Sequence, residues 1–244
     1  MVCGEGVAAS NEYKILQMAD TLLNTVYVEH LTLQLEFRDR SFNGNSIKNL
    51  VLYECDFLYV MSGEKDERVK IFDGIDALYL EVLTLINENL CPTSDEFEWK
   101  IFSKFINLKF IHIEGGNLCK IGHHFRDLSS NNVISLTIKQ NNLNLIESNS
   151  FDEFKSLQML IINKNLIQDL IFLTSNQWSN LWYLDLRDNQ LQAFPSELVD
   201  ALPAIKVLKL GQNKIRTIDS NIINTLLVKC REFSFDKMPG QLIF

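Results

Sequence analysis

Apolar and polar residues follow a fixed order that repeats along residues 133–218. Four consecutive segments carry apolar residues at positions 1, 4, 6, 11 and 14 and an asparagine at position 9. Counted from position 1, the segments begin at Val133, Leu157, Leu181 and Ile205, each 24 residues after the one before. A fixed period in this range is the sequence signature of a solenoid, whose repeats stack as successive coils.

Each repeat has the pattern of one short strand followed by a returning turn. Positions 4 and 6 alternate with polar residues, which predicts a strand with one face toward the core. Positions 1, 11 and 14 are also apolar, so the chain is expected to wrap around and return its other faces to the same core. One coil cannot bury these faces alone, whereas stacked coils can.

The asparagine at position 9 lies where the chain leaves the strand. Its amide can donate to and accept from backbone groups that the turn leaves unpaired. Stacked at the spacing of strands, these side chains are predicted to form a buried ladder. The predicted ladder consists of Asn141, Asn165, Asn189 and Asn213.

The pattern LxxLxLxxNxLxxI resembles that of leucine-rich repeat proteins. The 24-residue period, with Phe151 and Phe154 or Trp178 ahead of position 1, is similar to the class common in animal extracellular proteins such as Toll-like and Slit-like arrays. The resemblance is strong over residues 108–218 and weaker outside them. It implies an α/β solenoid: a leucine-rich repeat horseshoe of about nine repeats with a parallel β-sheet on its concave side.

The remainder of the chain fits the same pattern less closely. Residues 1–27 are predicted to be an N-terminal helical cap or a degenerate repeat, and residues 28–244 the repeat array. The first strand is expected to begin with Val28, Leu31 and Leu33, which places His30, Thr32 and Gln34 on its outward face. Cys55, Glu88 and Gly116 occupy position 9 in the irregular repeats, and Cys55 is expected to be a buried thiol.

Two longer charged segments interrupt the early repeats. They comprise residues 61–77 and 91–100, and both are expected to face water as convex or edge segments.

The outward face of the strands is the candidate binding surface. Positions 3, 5 and 7 point away from the core, and two groups of apolar residues lie there on neighbouring strands. The first group comprises Val51, Tyr53, Val82, Ile86 and Phe110. The second comprises Met159, Ile161, Tyr183 and Val207, flanked by Lys139, Asp185, Arg187 and Lys209. An apolar patch with aromatic and charged neighbours is typical of a protein-partner site, although β-branched and aromatic residues are also simply good strand formers.

Charge and hydropathy restrict the classes of function. The formal net charge is −8, whereas a general nucleic-acid binder needs a basic face, so no nucleic-acid partner is expected. No apolar run is long enough to span a membrane. No catalytic or cofactor-binding motif occurs, and neither His30 nor His112 has an evident catalytic partner. The sequence therefore predicts no catalytic residues, no enzyme activity and no cofactor.

Two of the five cysteines follow the same tripeptide, Asn-Leu-Cys. Cys91 and Cys119 both occupy position 12 of their repeats, so their turns are expected to stack near the strand spacing of about 5 Å. That spacing permits a disulfide in an oxidising compartment. The alternative is two unlinked thiols, one toward the core and one toward solvent. Cys119 with His123 and His124 lacks the remaining ligands of a metal site, so no metal is predicted.

The combined prediction is a non-catalytic module that binds a protein ligand through its concave face. The resemblance implies cell-surface or extracellular recognition. The alternative is an intracellular adaptor that recruits a protein partner, and the absence of any Asn-x-Ser/Thr site is consistent with it. The N-terminal residues contain no apolar block of signal-peptide length, so the chain is either cytosolic or a mature or partial chain.

Overall fold

The computed structural model describes residues 25–29, 47–55, 78–91, 97, 99–128, 131–174 and 178–237. Over these residues the chain forms stacked coils, and each coil contributes one strand to an open parallel sheet of nine strands. The strands run in chain order across the sheet, so each pairs only with strands of the adjacent coils. Their bounds are β1 Thr25–Glu29, β2 Asn49–Tyr53, β3 Val82–Ile86, β4 Phe110–Glu114, β6 Ser135–Lys139, β8 Met159–Ile161, β9 Tyr183–Asp185, β10 Val207–Lys209 and β11 Glu232–Ser234.

A second, two-stranded parallel sheet lies where two coils return from the large sheet. Its strands are β5 (Lys120–Ile121) and β7 (Leu145–Ile146). Parallel pairing here, as in the large sheet, follows from the equivalent positions of successive coils.

The register of the large sheet aligns equivalent repeat positions. Met159 pairs with Tyr183, and Leu160 with Leu184. Strands β2, β3 and β6 each alternate half-buried and buried residues, with positions 4 and 6 buried. The predicted α/β solenoid is therefore confirmed, and the inward side chains form one continuous apolar core.

The first strand lies earlier than the sequence pattern indicated. The prediction placed His30, Thr32 and Gln34 on the outward face, but β1 spans Thr25–Glu29 and pairs Thr25 with Asn49. The stretch contains two apolar alternations, one at Val26 and Val28 and the other at Leu31 and Leu33. Pairing with β2 selects the earlier one, which also restores the spacing of 24 residues. The predicted boundary at residue 28 consequently falls inside a strand, and residues 1–24 lie outside the described part.

Short helical segments cover the side of the coils opposite the sheet. The 3₁₀ segments are Trp99–Phe102 and His123–Leu128, and the α-helices are α1 Ile171–Thr174, α2 Leu198–Ala201 and α3 Ser220–Lys229. Asp219 starts α3, since its carboxylate accepts a hydrogen bond from the N–H of Asn221 at 2.8 Å. No helix in the described ranges is both long and apolar enough to cross a membrane.

Aromatic side chains stack through this side of the core. Trp99 contacts Phe97 and Phe125 edge-to-face, with ring centroids 4.8 and 4.7 Å apart. The chain of rings continues through Phe125 to Phe151. Residues 91–100 were expected to face water, but Phe97 and Trp99 are fully buried. The prediction was wrong there because the acidic residues Asp95, Glu96 and Glu98 dominate the composition of the segment, while its two aromatic side chains pack into the core. Residues 61–77 lie outside the described part.

The asparagines at position 9 connect each coil to the one before it. The Oδ1 atom of Asn165 accepts a hydrogen bond from the N–H of Leu143 at 3.2 Å. Its Nδ2 atom donates to the carbonyl of Ile138 at 2.9 Å. Equivalent bonds are made by the other buried asparagines of the ladder, Asn141, Asn189 and Asn213.

In the irregular repeats, groups other than a position-9 asparagine make the hydrogen bonds to the coil before. Glu88 is buried, and its Oε1 atom accepts a hydrogen bond from the N–H of Cys55, whose thiol is also buried, as expected. Gly116 leaves no room for a side chain, because a Cβ there would overlap the carbonyl oxygen of Glu88. The next residue, Asn117, supplies the acceptor instead and bonds the N–H of Leu90 at 2.8 Å.

A left-handed backbone residue precedes position 9 in each described turn. Position 8 has a φ between +49° and +74°, and only one of the eight residues is glycine. The eight residues are Glu54, Asn87, Gly115, Gln140, Lys164, Asp188, Gln212 and Lys237. The sequence carried a signal for this conformation, since no β-branched residue occurs at position 8. The turn that presents each ladder asparagine therefore depends on one conformationally restricted residue.

Candidate protein-binding face

The N-terminal half of the concave face is an apolar surface. Tyr53, Val82 and Ile86 are half-buried on neighbouring strands, and Phe110 leaves 42% of its area exposed. Tyr27 of β1 extends the group, because it pairs with Val51 and is also 42% exposed. Tyr27 is not among the residues predicted from the sequence, because the predicted first strand began at Val28 and β1 begins at Thr25. The structure thus brings the predicted residues of the first group together on one surface.

A hydrogen-bonded charge cluster follows at the centre of the sheet. His112 Nε2 lies 2.8 Å from Glu114 Oε2, and Lys139 Nζ lies 2.9 Å from the same atom. Burial alone would raise the pKa of Glu114, but the hydrogen bonds from Lys139 and His112 outweigh it and lower the pKa. His112 therefore has a partner that the sequence analysis did not find, although positions 5 and 7 share a strand face. Lys139 flanks the second apolar group as predicted but is committed to an ion pair.

Asp185 is not a surface residue, contrary to the prediction. It is 1% exposed, and Arg187 donates hydrogen bonds to both of its carboxylate oxygens. The Nε–Oδ1 distance is 2.9 Å and the Nη2–Oδ2 distance is 2.7 Å. Asn163 donates a further bond at 3.1 Å. Desolvation would raise the pKa of Asp185, but these hydrogen bonds outweigh it and hold the pKa below its ordinary value. Asp185 positions Arg187 and is closed to a partner.

Val207 is also buried, at 2% exposure, so its assignment to the binding surface was wrong. Its neighbours across the strands are Tyr183 and Glu232. Lys209 lies over the Tyr183 ring at 5.5 Å and bonds Glu232 at 2.9 Å. The hydrogen bond with Glu232 raises the pKa of Lys209. Tyr183, Lys209 and Glu232 therefore lie around Val207 on the same face of the sheet, an arrangement that the pattern of one strand does not reveal.

The second apolar group is smaller than predicted but remains a surface. Met159, Ile161 and Tyr183 are half-buried on β8 and β9. Trp182, at position 2, adjoins them, with its ring 5.7 Å from that of Tyr183. The Arg231 guanidinium lies over the Trp182 ring at 5.5 Å. Trp182 and Arg231 are both at position 2 of their repeats, outside the outward positions 3, 5 and 7 from which the binding surface was predicted.

Cys91 and Cys119 form a disulfide, and their Cα atoms are 5.4 Å apart. The neighbouring Asn117 donates from Nδ2 to Asn89 Oδ1 and accepts from the N–H of Cys91. The two Asn-Leu-Cys turns therefore lie in register, and the disulfide links two adjacent coils on the side where the chain leaves the sheet.

No group of three or more potential metal ligands occurs within the described ranges. The sulfur of Cys119 is in the disulfide, and His123 and His124 make their own contacts with Glu147 and Asp127. The pKa of Glu147 is lowered, and the largest cause is its hydrogen bond with Lys120.

Comparison with known proteins gives two likenesses. No protein-family model matches the chain. Mouse osteomodulin is 23% identical over 181 residues, which cover 65% of this chain and 41% of osteomodulin. Among solved structures, a chain of the Toll–Spatzle complex from Drosophila matches with a TM-score of 0.62 and 17% identity, covering 89% of this chain and 32% of that one. The chain therefore spans less than half the length of either protein.

The repeat pattern, the stacked coils and these likenesses agree on the class. The chain is a leucine-rich repeat protein, as the sequence pattern indicated. Its fold is the open horseshoe of that class, with the parallel sheet on the concave side.

Proposed function

We propose that the chain is a non-catalytic recognition module that binds a protein partner through its concave face, outside the cell or at the cell surface. The observation that carries this proposal is the row of exposed apolar side chains on hydrogen-bonded strands, where Phe110 and Tyr27 expose 42% of their area. Large contiguous apolar patches on a protein surface are typical of sites that bind a partner.

The rigidity of the sheet supports the same proposal. Every strand of the large sheet between β1 and β11 is paired on both sides, so its side chains are held in place before a partner arrives. Binding then costs little additional ordering entropy. The proposed contact set excludes the buried Asp185 and Val207 and adds Tyr27. It comprises Tyr27, Val51, Tyr53, Val82, Ile86, Phe110, Lys139, Met159, Ile161, Tyr183, Arg187 and Lys209.

The disulfide supports an oxidising compartment. Disulfides persist in secreted and cell-surface proteins and are rare in the reducing cytosol. The matched solved chain comes from a protein–protein complex, which is consistent with a protein ligand. The intracellular adaptor requires free thiols at Cys91 and Cys119. Mass spectrometry of the native protein after alkylation separates the two readings, since only free thiols take up the label.

The face is tested with paired substitutions of exposed apolar residues. A partner captured from native tissue with the intact chain is purified, and its affinity is measured for Ile86→Ala with Phe110→Ala and for Met159→Ala with Ile161→Ala. At least one of the two double substitutions is expected to reduce the binding free energy by about 2 kcal/mol or more, as substitution of hot-spot residues does. Arg187 is left unchanged because its removal would strand the buried Asp185 carboxylate.

The matched control is Leu166→Ala with Ile171→Ala. These residues are 41% and 61% exposed but lie off the sheet. Their replacement is expected to leave the affinity unchanged. Loss of affinity in the control, with full affinity in both concave pairs, would place the partner on another face and refute the proposal.

A further inference from the structure

The charge of the array is unevenly distributed. Residues 205–237 carry seven lysines and arginines and three acidic residues, whereas the whole chain has a formal net charge of −8. The last described coils are therefore basic within an acidic protein. Such a contrast directs partners of opposite charge to one end of the molecule.

Part of this charge gathers at one corner of the sheet. The residues at position 2 of the last three repeats immediately precede β9, β10 and β11. They are adjacent, since the Lys206 N–H donates to the Trp182 carbonyl at 2.8 Å and the Arg231 N–H donates to the Lys206 carbonyl at 2.9 Å. Arg231 lies over Trp182, and Trp182 packs against Tyr183. We name Trp182, Tyr183, Lys206 and Arg231 the basic corner.

Two cations of the corner are available for a ligand. Arg187 is bound to Asp185, Lys209 to Glu232, and the Lys229 ammonium donates to the carbonyl of Val199 at 2.7 Å. By contrast, Lys206 and Arg231 are exposed and make no ion pair with any carboxylate in the described part of the chain. Contact with Trp182 holds the guanidinium at the edge of the concave face, which favours planar recognition of a carboxylate.

We propose that the basic corner binds an acidic peptide segment of the protein partner. Lys206 and Arg231 pair with carboxylates of that segment, while Tyr183 and Trp182 contact the apolar residues between them. This inference rests on the proposed function and specifies the chemistry of the partner. The exposed Glu232 carboxylate beside the corner disfavours a continuous polyanion, because dense negative charge would approach it closely.

Tryptophan fluorescence of the full chain provides a direct test. The chain has three tryptophans, and Trp99 and Trp178 are buried, so Trp182 is the one placed to report a ligand. The probe is a short synthetic peptide that alternates glutamate with leucine. A saturable change in emission is expected, and it should disappear in Trp182→Phe while binding, followed by anisotropy of a labelled peptide, persists.

The charge requirement is tested by Lys206→Gln with Arg231→Gln. This pair is expected to weaken peptide binding about tenfold and to reduce its dependence on salt. The matched control, Lys214→Gln with Arg216→Gln, removes the same charge from exposed residues of the same coil that lie off the sheet. It is expected to bind as the unchanged chain does. Melting temperatures of all variants check that each is folded.

Three results would overturn the inference. The peptide produces no saturable change, or the two charge pairs weaken binding equally, which would show an effect of net charge alone. Alternatively, a heparin-derived oligosaccharide binds more tightly than the peptide and requires Lys206 and Arg231, which would make the corner a glycan site. The concave-face assay with Met159→Ala and Ile161→Ala is independent of these results, so loss of the corner leaves the proposed function standing.

Discussion

At the scale of single residues, the ladder asparagine is defined by the bonds it makes to another coil. Asn165 satisfies an N–H and a carbonyl of the preceding turn. Asn165→Leu is expected to leave these groups unpaired and to cost roughly 1–3 kcal/mol of the free energy of unfolding. Thermal or urea denaturation measures the loss.

The control for this substitution is Asn142→Leu. Position 10 is exposed, and Leu166 occupies the same position in the next repeat. The control is expected to be nearly neutral. Equal stability of Asn165→Leu and the unchanged protein would show that the buried amide does not hold the coils together.

The left-handed residue at position 8 gives a second prediction. Lys164 has a φ of +53°, a conformation that β-branched side chains strongly disfavour. Lys164→Val is expected to destabilise the fold by about 1–2 kcal/mol, whereas Lys164→Asn should be close to neutral. Denaturation of both variants measures the difference, and a tolerated valine would contradict the backbone geometry of the turn.

The buried Asp185 makes stability depend on pH. Because its pKa is lower in the folded chain, the charged form contributes stability that is fully present above the ordinary pKa of 3.8 and is lost as the pH falls through the folded value. Asp185→Asn is expected to reduce stability at neutral pH and to flatten its decline in acid. Asp188→Asn, which changes the same charge outside this hydrogen-bond set, serves as control. An unchanged acid profile in Asp185→Asn would refute the linkage.

Asp185 and Val207 show which property of a side chain the sequence pattern predicts and which it does not. The alternation of apolar and polar positions indicated correctly which side chains leave the sheet on its outward face. It could not show that Asp185 and Val207 are then covered by neighbouring side chains. Covering depends on long side chains such as Arg187 and Lys209, whose direction is set by tertiary contacts.

At the scale of elements, the disulfide joins two coils that differ in length from the regular repeats. It closes a separation of 28 residues. Cys91→Ser with Cys119→Ser is expected to cost about 2–4 kcal/mol. A reductant should lower the melting temperature of the unchanged protein and should not change that of the variant. A reductant that acts equally on both would show that the bridge does not stabilise the array.

Strand assignment succeeded where repeats were regular and failed where they were not. In β6, β8, β9 and β10 the period alone located the strands. At β1 two alternations competed, and only pairing with β2 selects between them. Trp99 was assigned to a water-facing segment because composition does not reveal that a ring is buried among other rings.

At the scale of the whole molecule, the repeat pattern predicted the class of fold because every coil has the same order of strand, turn and returning segment. The identity of the partner is not encoded in that pattern, since the core positions recur while the outward positions differ from strand to strand. The proposed contacts consequently depend on the outward residues alone.

The asparagine ladder also has a consequence for deletions in the repeat array. Each asparagine serves the coil before it, so removal of residues 157–180 would bring Asn189 onto the groups that Asn165 now satisfies. A shift of one residue within a strand would exchange its inward and outward side chains, so the register must be kept there. The connections between strands are less restricted, because β6 and β8 are 24 residues apart whereas β4 and β6 are 25 apart and β2 and β3 are 33 apart. Deletion of residues 157–180 is therefore expected to leave a folded protein with one strand fewer, detectable by a cooperative melt. A shorter or longer relative would keep one strand and one turn in each coil and would differ in the number of coils or in the length of their connections.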